Sequence, residues 1–115
     1  QLYYRCDIIY AHSSSGSTTV KLWVKNTGFK DLPRELIEKS EIIILGGSKV
    51  YYLLHGDSSN SWSYKLLNDS DDDSRWDPSE TIEVELRLSA SLTSGDYYLK
   101  FVLFNGAESE YSLSV

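Results

Sequence analysis

The chain has no methionine, a single cysteine, two prolines and two histidines in 115 residues, and each scarcity removes a class of protein. One cysteine, Cys6, rules out an internal disulfide framework. At an alternating strand position it reads as a small buried hydrophobe. His12 and His55 both fall in segments that read as turns, and no serine sits in a Gly-x-Ser-x-Gly elbow, so catalytic residues are not expected. No glycine-rich phosphate loop is present; Gly46-Gly47 is more simply a turn, and no cofactor is expected. No apolar run approaches the roughly 18 residues of a membrane-spanning helix, and the N-terminus does not read as a signal peptide. Basic residues number 11 against 17 acidic ones, a net charge of −6 that opposes a nucleic-acid partner. A chain without methionine that begins at Gln1 reads as a processed or excised piece, with any anchor expected in a segment outside it.

What is there is alternation. Hydrophobic residues make up 41% of the chain, with nine tyrosines, and nearly every apolar segment repeats with period two, the mark of half-buried strands. Residues 2–10 place Leu2, Tyr4, Cys6, Ile8 and Tyr10 on one face and Arg5 and Asp7 on the other. Residues 18–25 put Val20, Leu22 and Val24 inward. Residues 32–40 are the one plausible helix, about two turns long, with Pro33 in the first turn and Glu35 and Glu38 facing the positive end of its dipole. Strands follow at 41–45, 49–54, 61–67 and 81–88. The last pair, 97–104 and 108–115, flanks Asn105-Gly106, a strong signal for a type I′ hairpin. Seven or eight strands with little helix predict an all-β, immunoglobulin-like antiparallel sandwich forming one domain over residues 1–115.

Two features suggest function. In the acidic loop 68–80, Asp69, Asp71, Asp73, Asp77 and Glu80 fall at positions 1, 3, 5, 9 and 12 of a calcium-loop pattern. Ser74 stands where that pattern needs glycine, and the flanks are strands, so the loop also reads as a merely solvated one and no metal site is assigned. The second feature is a pair of strands apolar on both faces, 41–45 and 97–104. Glu41 and Lys100 mark their outer sides, which assigns Ile43, Leu45, Tyr98, Lys100, Val102 and Phe104 to an exposed face. As strands C and F of an immunoglobulin fold they would be sheet neighbours, and their outer residues would merge into a partner-binding patch. The competing reading is that the short helix or a loop covers this face. Lys100 would act as a gatekeeper against indiscriminate pairing. A ligand- or carbohydrate-binding sandwich using Trp23, Trp62, Trp76 and Tyr51-Tyr52 as stacking surfaces is an alternative. A hydrolase would need His12 or His55 beside a serine and a carboxylate.

The sequence TVKLWVKNTGFKD (residues 19–31), SEIIIL (40–45), WDPSET (76–81) and SGDYYLKFVLFNGA (94–107), in that order, resembles archaellum proteins: archaeal flagellins and the membrane-anchored accessory proteins FlaG and FlaF. The small, acidic chain is more similar to an accessory component, FlaG ahead of FlaF. The resemblance implies an immunoglobulin-like sandwich carried behind one N-terminal membrane helix. It also implies a non-enzymatic stator role between cell membrane and surface layer. Such a protein would associate with itself as a homo-oligomer, with a sister accessory protein or with the surface-layer protein.

Overall fold

In the computed structural model, which describes residues 3–47, 49–67 and 74–115, the alternating segments form eight strands and a single helical turn. These are β1 (Cys6–His12), β2 (Thr19–Asn26), α1 (Arg34–Ile37), β3 (Glu41–Gly46), β4 (Lys49–His55), β5 (Ser61–Leu66), β6 (Thr81–Arg87), β7 (Asp96–Val102) and β8 (Glu108–Ser114). The strand order is β1-β2-β6-β5-β4-β3-β7-β8. All neighbours pair antiparallel except β4 and β5, which run parallel and meet only at Leu54–Ser61 and His55–Trp62. That short seam divides the ribbon into two four-stranded layers, β1-β2-β6-β5 and β4-β3-β7-β8. The far ends of the ribbon come back together where the Ile8 N–H donates to Ser109 Oγ at 2.8 Å. The result is an immunoglobulin-like sandwich. Among the described residues, no helix is long and apolar enough to cross a membrane.

The inward faces supply the core. Val20, Leu22 and Val24 of β2, Ile42 and Ile44 of β3, Ile82, Val84 and Leu86 of β6, and Leu99 and Phe101 of β7 have no exposed surface. Trp62 and Trp76 both meet the Phe101 ring edge-on, with centroids 5.9 and 6.2 Å away. At about 25 cal/mol per Å² of apolar surface, rings of this size dominate the hydrophobic stabilisation of a small domain. Cys6 is buried in the same core, and desolvation, reinforced by neighbouring Asp7, pushes its thiol up to about 12.

The VKNTG segment that ends β2 forms a knot of hydrogen bonds. Asn26 is buried; its Nδ2 donates to the Lys30 and Trp76 carbonyls at 3.0 and 2.9 Å, and its Oδ1 accepts the Gly28 N–H at 2.9 Å. Gly28 is needed because a Cβ there would stand 2.5 Å from the Tyr3 carbonyl oxygen and 2.8 Å from the Arg5 nitrogen. The WDPSET segment closes the other side of the knot: Trp76 Nε1 donates to the Glu80 carbonyl at 2.8 Å, and the Glu80 carboxylate accepts the Asp77 N–H at 3.0 Å.

Three local expectations are corrected. The helix is one turn, Arg34–Ile37, which buries Ile37 and half-buries Leu36 against the core before the chain enters β3 at Glu41. In β1 a bulge between Ile8 and Tyr10 reverses the alternation, so Ala11 rather than Tyr10 is buried, and Tyr10 lies outside against Trp23 at 5.5 Å. The closing hairpin is not a two-residue type I′ turn. Gly106 N–H donates to the Leu103 carbonyl and Leu103 N–H to the Ala107 carbonyl, and only Gly106 has positive φ, at 90°. That pattern is a type I turn with a G1 bulge, which takes Phe104 out of the strand and into the turn.

Candidate interaction surface

Strand register fixes what the layer β4-β3-β7-β8 presents outward. One row across the layer is Val50, Leu45, Tyr98, Ser112; the next is Tyr52, Ile43, Lys100, Glu110; the third is Leu54, Glu41, Val102, Glu108. The apolar members crowd toward β4. Val50, Tyr52, Leu54 and Tyr98 are 67, 53, 54 and 52% exposed, while Ile43, Leu45 and Val102 are half-buried between them. The charged members crowd toward β8, where Lys100 Nζ lies 3.7 Å from carboxylate oxygens of both Glu108 and Glu110. Covering this cluster with an apolar partner would desolvate three charges, so it bounds the apolar patch on the β8 side. Glu41 accepts a hydrogen bond from the Tyr52 hydroxyl, and this bond raises the Tyr52 pKa above its ordinary value.

The opposite outer face has different chemistry. Register gives the layer β1-β2-β6-β5 the outward residues Asp7, Lys21, Lys25, Glu83, Glu85 and Lys65, with exposed Ile9 and Tyr10 at the β1 edge and half-buried Trp23 the apolar exceptions. Lys21 and Glu83 pair at 3.5 Å. One side of the sandwich is therefore dressed for water, while the other exposes a contiguous apolar patch of the kind that marks an interaction site.

Of the residues expected on this face, Ile43, Leu45, Tyr98, Lys100 and Val102 lie together there. Phe104 does not: from its turn it packs edge-on against Tyr4 at 4.8 Å. The helical turn does not cover the patch. Ile37 is buried in the core and Glu38 faces His55 at the seam between the layers. Val50, Tyr52 and Leu54 were not anticipated. Residues 49–54 also carry apolar side chains on both faces, a usable signal, but only the pairing of β4 with β3 shows where those side chains project.

The other candidate sites are resolved by their geometry. His55 and Glu38 stand 4.0 Å apart, and Ser63 lines the same open depression of about 260 Å³. The Ser63 hydroxyl accepts from Arg87 Nη1 at 3.1 Å and makes no hydrogen bond to His55 among the described residues, so the nucleophile–base contact of a triad is not made. His12 is exposed on β1, opposite Lys21. Trp62 and Trp76 are fully buried, which withdraws them from any stacking platform. Asp69, Asp71 and Asp73 lie outside the described residues. Glu80 is tied into the turn at Asp77, and no group of three or more possible metal ligands occurs among the described residues.

The chain matches no family model. A protein of Archaeoglobus fulgidus described as uncharacterised is 28% identical over 104 residues, covering 87% of this chain; the chain spans 62% of that relative's length. The fold is similar to that of the archaellum periplasmic stator protein FlaG from Sulfolobus acidocaldarius. That match has a TM-score of 0.75 at 20% identity and covers 96% of this chain and 99% of the other. A chain of the archaellum periplasmic stator complex FlaF and FlaG from the same organism matches with a TM-score of 0.74 at 20% identity, over 95% of this chain and 88% of that one. The immunoglobulin-like sandwich expected from the sequence, and its likeness to FlaG, are thus found again in three dimensions.

Proposed function

We propose that this chain is the extracytoplasmic sandwich of an archaellum stator component, a non-enzymatic domain that works by binding protein. Contact is made through the outer face of β4-β3-β7-β8, centred on Ile43, Leu45, Val50, Tyr52, Tyr98 and Val102. The partners are a second copy, a sister accessory protein or the surface-layer protein, and the domain is held near the membrane by a segment outside this chain. The single observation that carries this reading is the asymmetry of the two outer faces: one charged, one apolar and uncovered among the described residues. The likeness of the fold to FlaG, and to a chain from a complex of FlaF with FlaG, supports the choice of a stator and of a sister protein as partner.

The test is binding with the face altered. Ile43→Lys and Leu45→Lys place ammonium groups in the apolar part of the patch without touching the core, since both side chains point away from it and Leu45 lies between Val50 and Tyr98. Burying an unpaired charge in an interface costs several kcal/mol. Each variant should therefore weaken binding of the FlaF-type partner about a hundredfold or more by calorimetry, with melting temperature close to that of the parent. Unchanged affinity in both variants refutes the assignment of the face. Restored motility by the double variant, in cells lacking the natural protein, refutes the need for this face, and failure of the parent chain to restore it refutes the stator role.

A further inference from the structure

We infer that β4 is a pairing edge, and that residues 49–53 add antiparallel to the same segment of a second copy of this chain. The inference rests on the association reading above and names one contact within it.

The sandwich has four strand edges, and three carry a device that blocks pairing. β1 is bulged between Ile8 and Tyr10 and joined to β8 by the Ile8–Ser109 hydrogen bond. β8 sets Glu108 and Glu110 along its outer face. β5 beyond Trp62 carries Lys65 and is flanked by α1, whose Arg34 lines one depression with Tyr64 and Leu66. β4 has no such device: it contains no proline and no bulge, and its one lysine, Lys49, stands at the first position. Unprotected edges of this composition are pairing templates.

The free groups on that edge can be identified. Gly56 N–H donates to the Trp62 carbonyl across the parallel seam, so the even-numbered residues of β4 aim their backbone groups toward the β5 side. Backbone direction alternates with period two, so the N–H and C=O of Val50 and Tyr52 face that side as well. β5 pairs only with Leu54 and His55, and beyond the ladder with β3 no backbone hydrogen bond reaches residues 49–53 from the described residues. Two copies related by a two-fold axis at Tyr51 pair Val50 with the partner's Tyr52, and Tyr52 with the partner's Val50, each pair exchanging two hydrogen bonds. Lys49 then opposes Leu53, so no like charges meet, and the outward Val50–Tyr52 neighbours are a favourable aliphatic–aromatic pair. The pairing ends at Leu54, where β5 takes over the edge. Val50, Tyr52 and Leu54 lie on both the edge and the apolar face, and pairing would join the two patches into one continuous surface.

Tyr52→Pro removes one free edge N–H and leaves the β3 ladder untouched, because proline is tolerated on an open edge. In sedimentation equilibrium it should weaken self-association about tenfold or more overall, one hydrogen bond being lost from each of the two Val50–Tyr52 pairs, with the melting temperature confirming the fold. Independently, Tyr51→Cys puts two thiols at a non-hydrogen-bonded pair with Cα atoms about 4.5 Å apart, within disulfide reach. It should cross-link on mild oxidation much faster than the exposed control Leu67→Cys. A folded Tyr52→Pro that associates like the parent, or a Tyr51→Cys no faster than the control, overturns the edge. A parent chain that stays monomeric at every concentration also overturns it, yet leaves binding of the FlaF-type partner and its sensitivity to Ile43→Lys to be judged separately.

Discussion

Asn26→Ala removes three hydrogen bonds at once, and their partners decide the cost. The Trp76 carbonyl keeps a donor, since Leu32 N–H also bonds to it at 3.0 Å. The Gly28 N–H loses its acceptor inside the protein, a penalty of about 1–3 kcal/mol for a buried orphan. The Lys30 carbonyl, partly reached by water, loses about 1 kcal/mol. The sum, about 3 kcal/mol, is a large share of the roughly 5–15 kcal/mol that holds a domain together. It should lower the melting temperature by about 12 °C. Urea unfolding followed by the fluorescence of buried Trp62 and Trp76 measures it directly, with the m-value unchanged. Asn26→Asp sharpens the test. Its carboxylate still accepts the Gly28 N–H but faces the Lys30 and Trp76 carbonyls without a proton to donate. It should be worse than alanine at neutral pH and recover as acidification restores a donor. A loss below about 1 kcal/mol for alanine, or an aspartate variant as stable as the parent at neutral pH, refutes the account of this knot.

Two further outcomes follow from titrating groups. The Cys6 thiol, pushed up to about 12 against an ordinary 9.0, stays protonated in the fold, so alkylation by iodoacetamide should not accelerate between neutral pH and pH 9. Because the folded pKa is the higher one, its stabilisation is complete below the unfolded value and is lost as pH rises from about 9 toward 12; a Cys6→Ala protein should lack that part of the alkaline decline. Glu41→Gln removes the carboxylate that holds the Tyr52 hydroxyl, so the Tyr52 pKa should fall back toward 10.0, read by absorbance or NMR. No change in the Tyr52 titration would place its hydroxyl elsewhere.

The fold was legible where one face of a strand is polar. In β6 and β2 each charged residue marks the outside, so Ile82, Val84, Leu86 and Val20, Leu22, Val24 could be assigned to the core from alternation alone. The errors fall where one inserted residue changes parity or where a strand ends. The bulge at Ile9 sends Tyr10 out, whereas Phe104 leaves the face it would share with Val102 because the strand ends at Val102 and Phe104 enters the turn. Parity has no partial errors: one extra residue exchanges the two faces for everything beyond it. The VKNTG motif was legible as a pattern, while its reason, a buried asparagine bonded to Lys30, Gly28 and Trp76, depends on a contact fifty residues away in sequence.

The candidate surface needed more than alternation. A strand apolar on both faces has no internal marker of its outside, so β3 and β7 were oriented by the single charges Glu41 and Lys100, and β4 had no comparable marker. Pairing supplies what composition cannot. Once Ile43 faces Tyr52 and Leu45 faces Val50, the outside of β4 is fixed by that of β3, and the patch extends to the edge that lacks protection. Toward β8 the same register runs into Glu108 and Glu110, and the patch stops. This polarity across one layer favours a partner approaching from the β4 side. Charge substitution at Tyr52 should therefore disturb association more than the same substitution at Ser112, although both residues are exposed on one face.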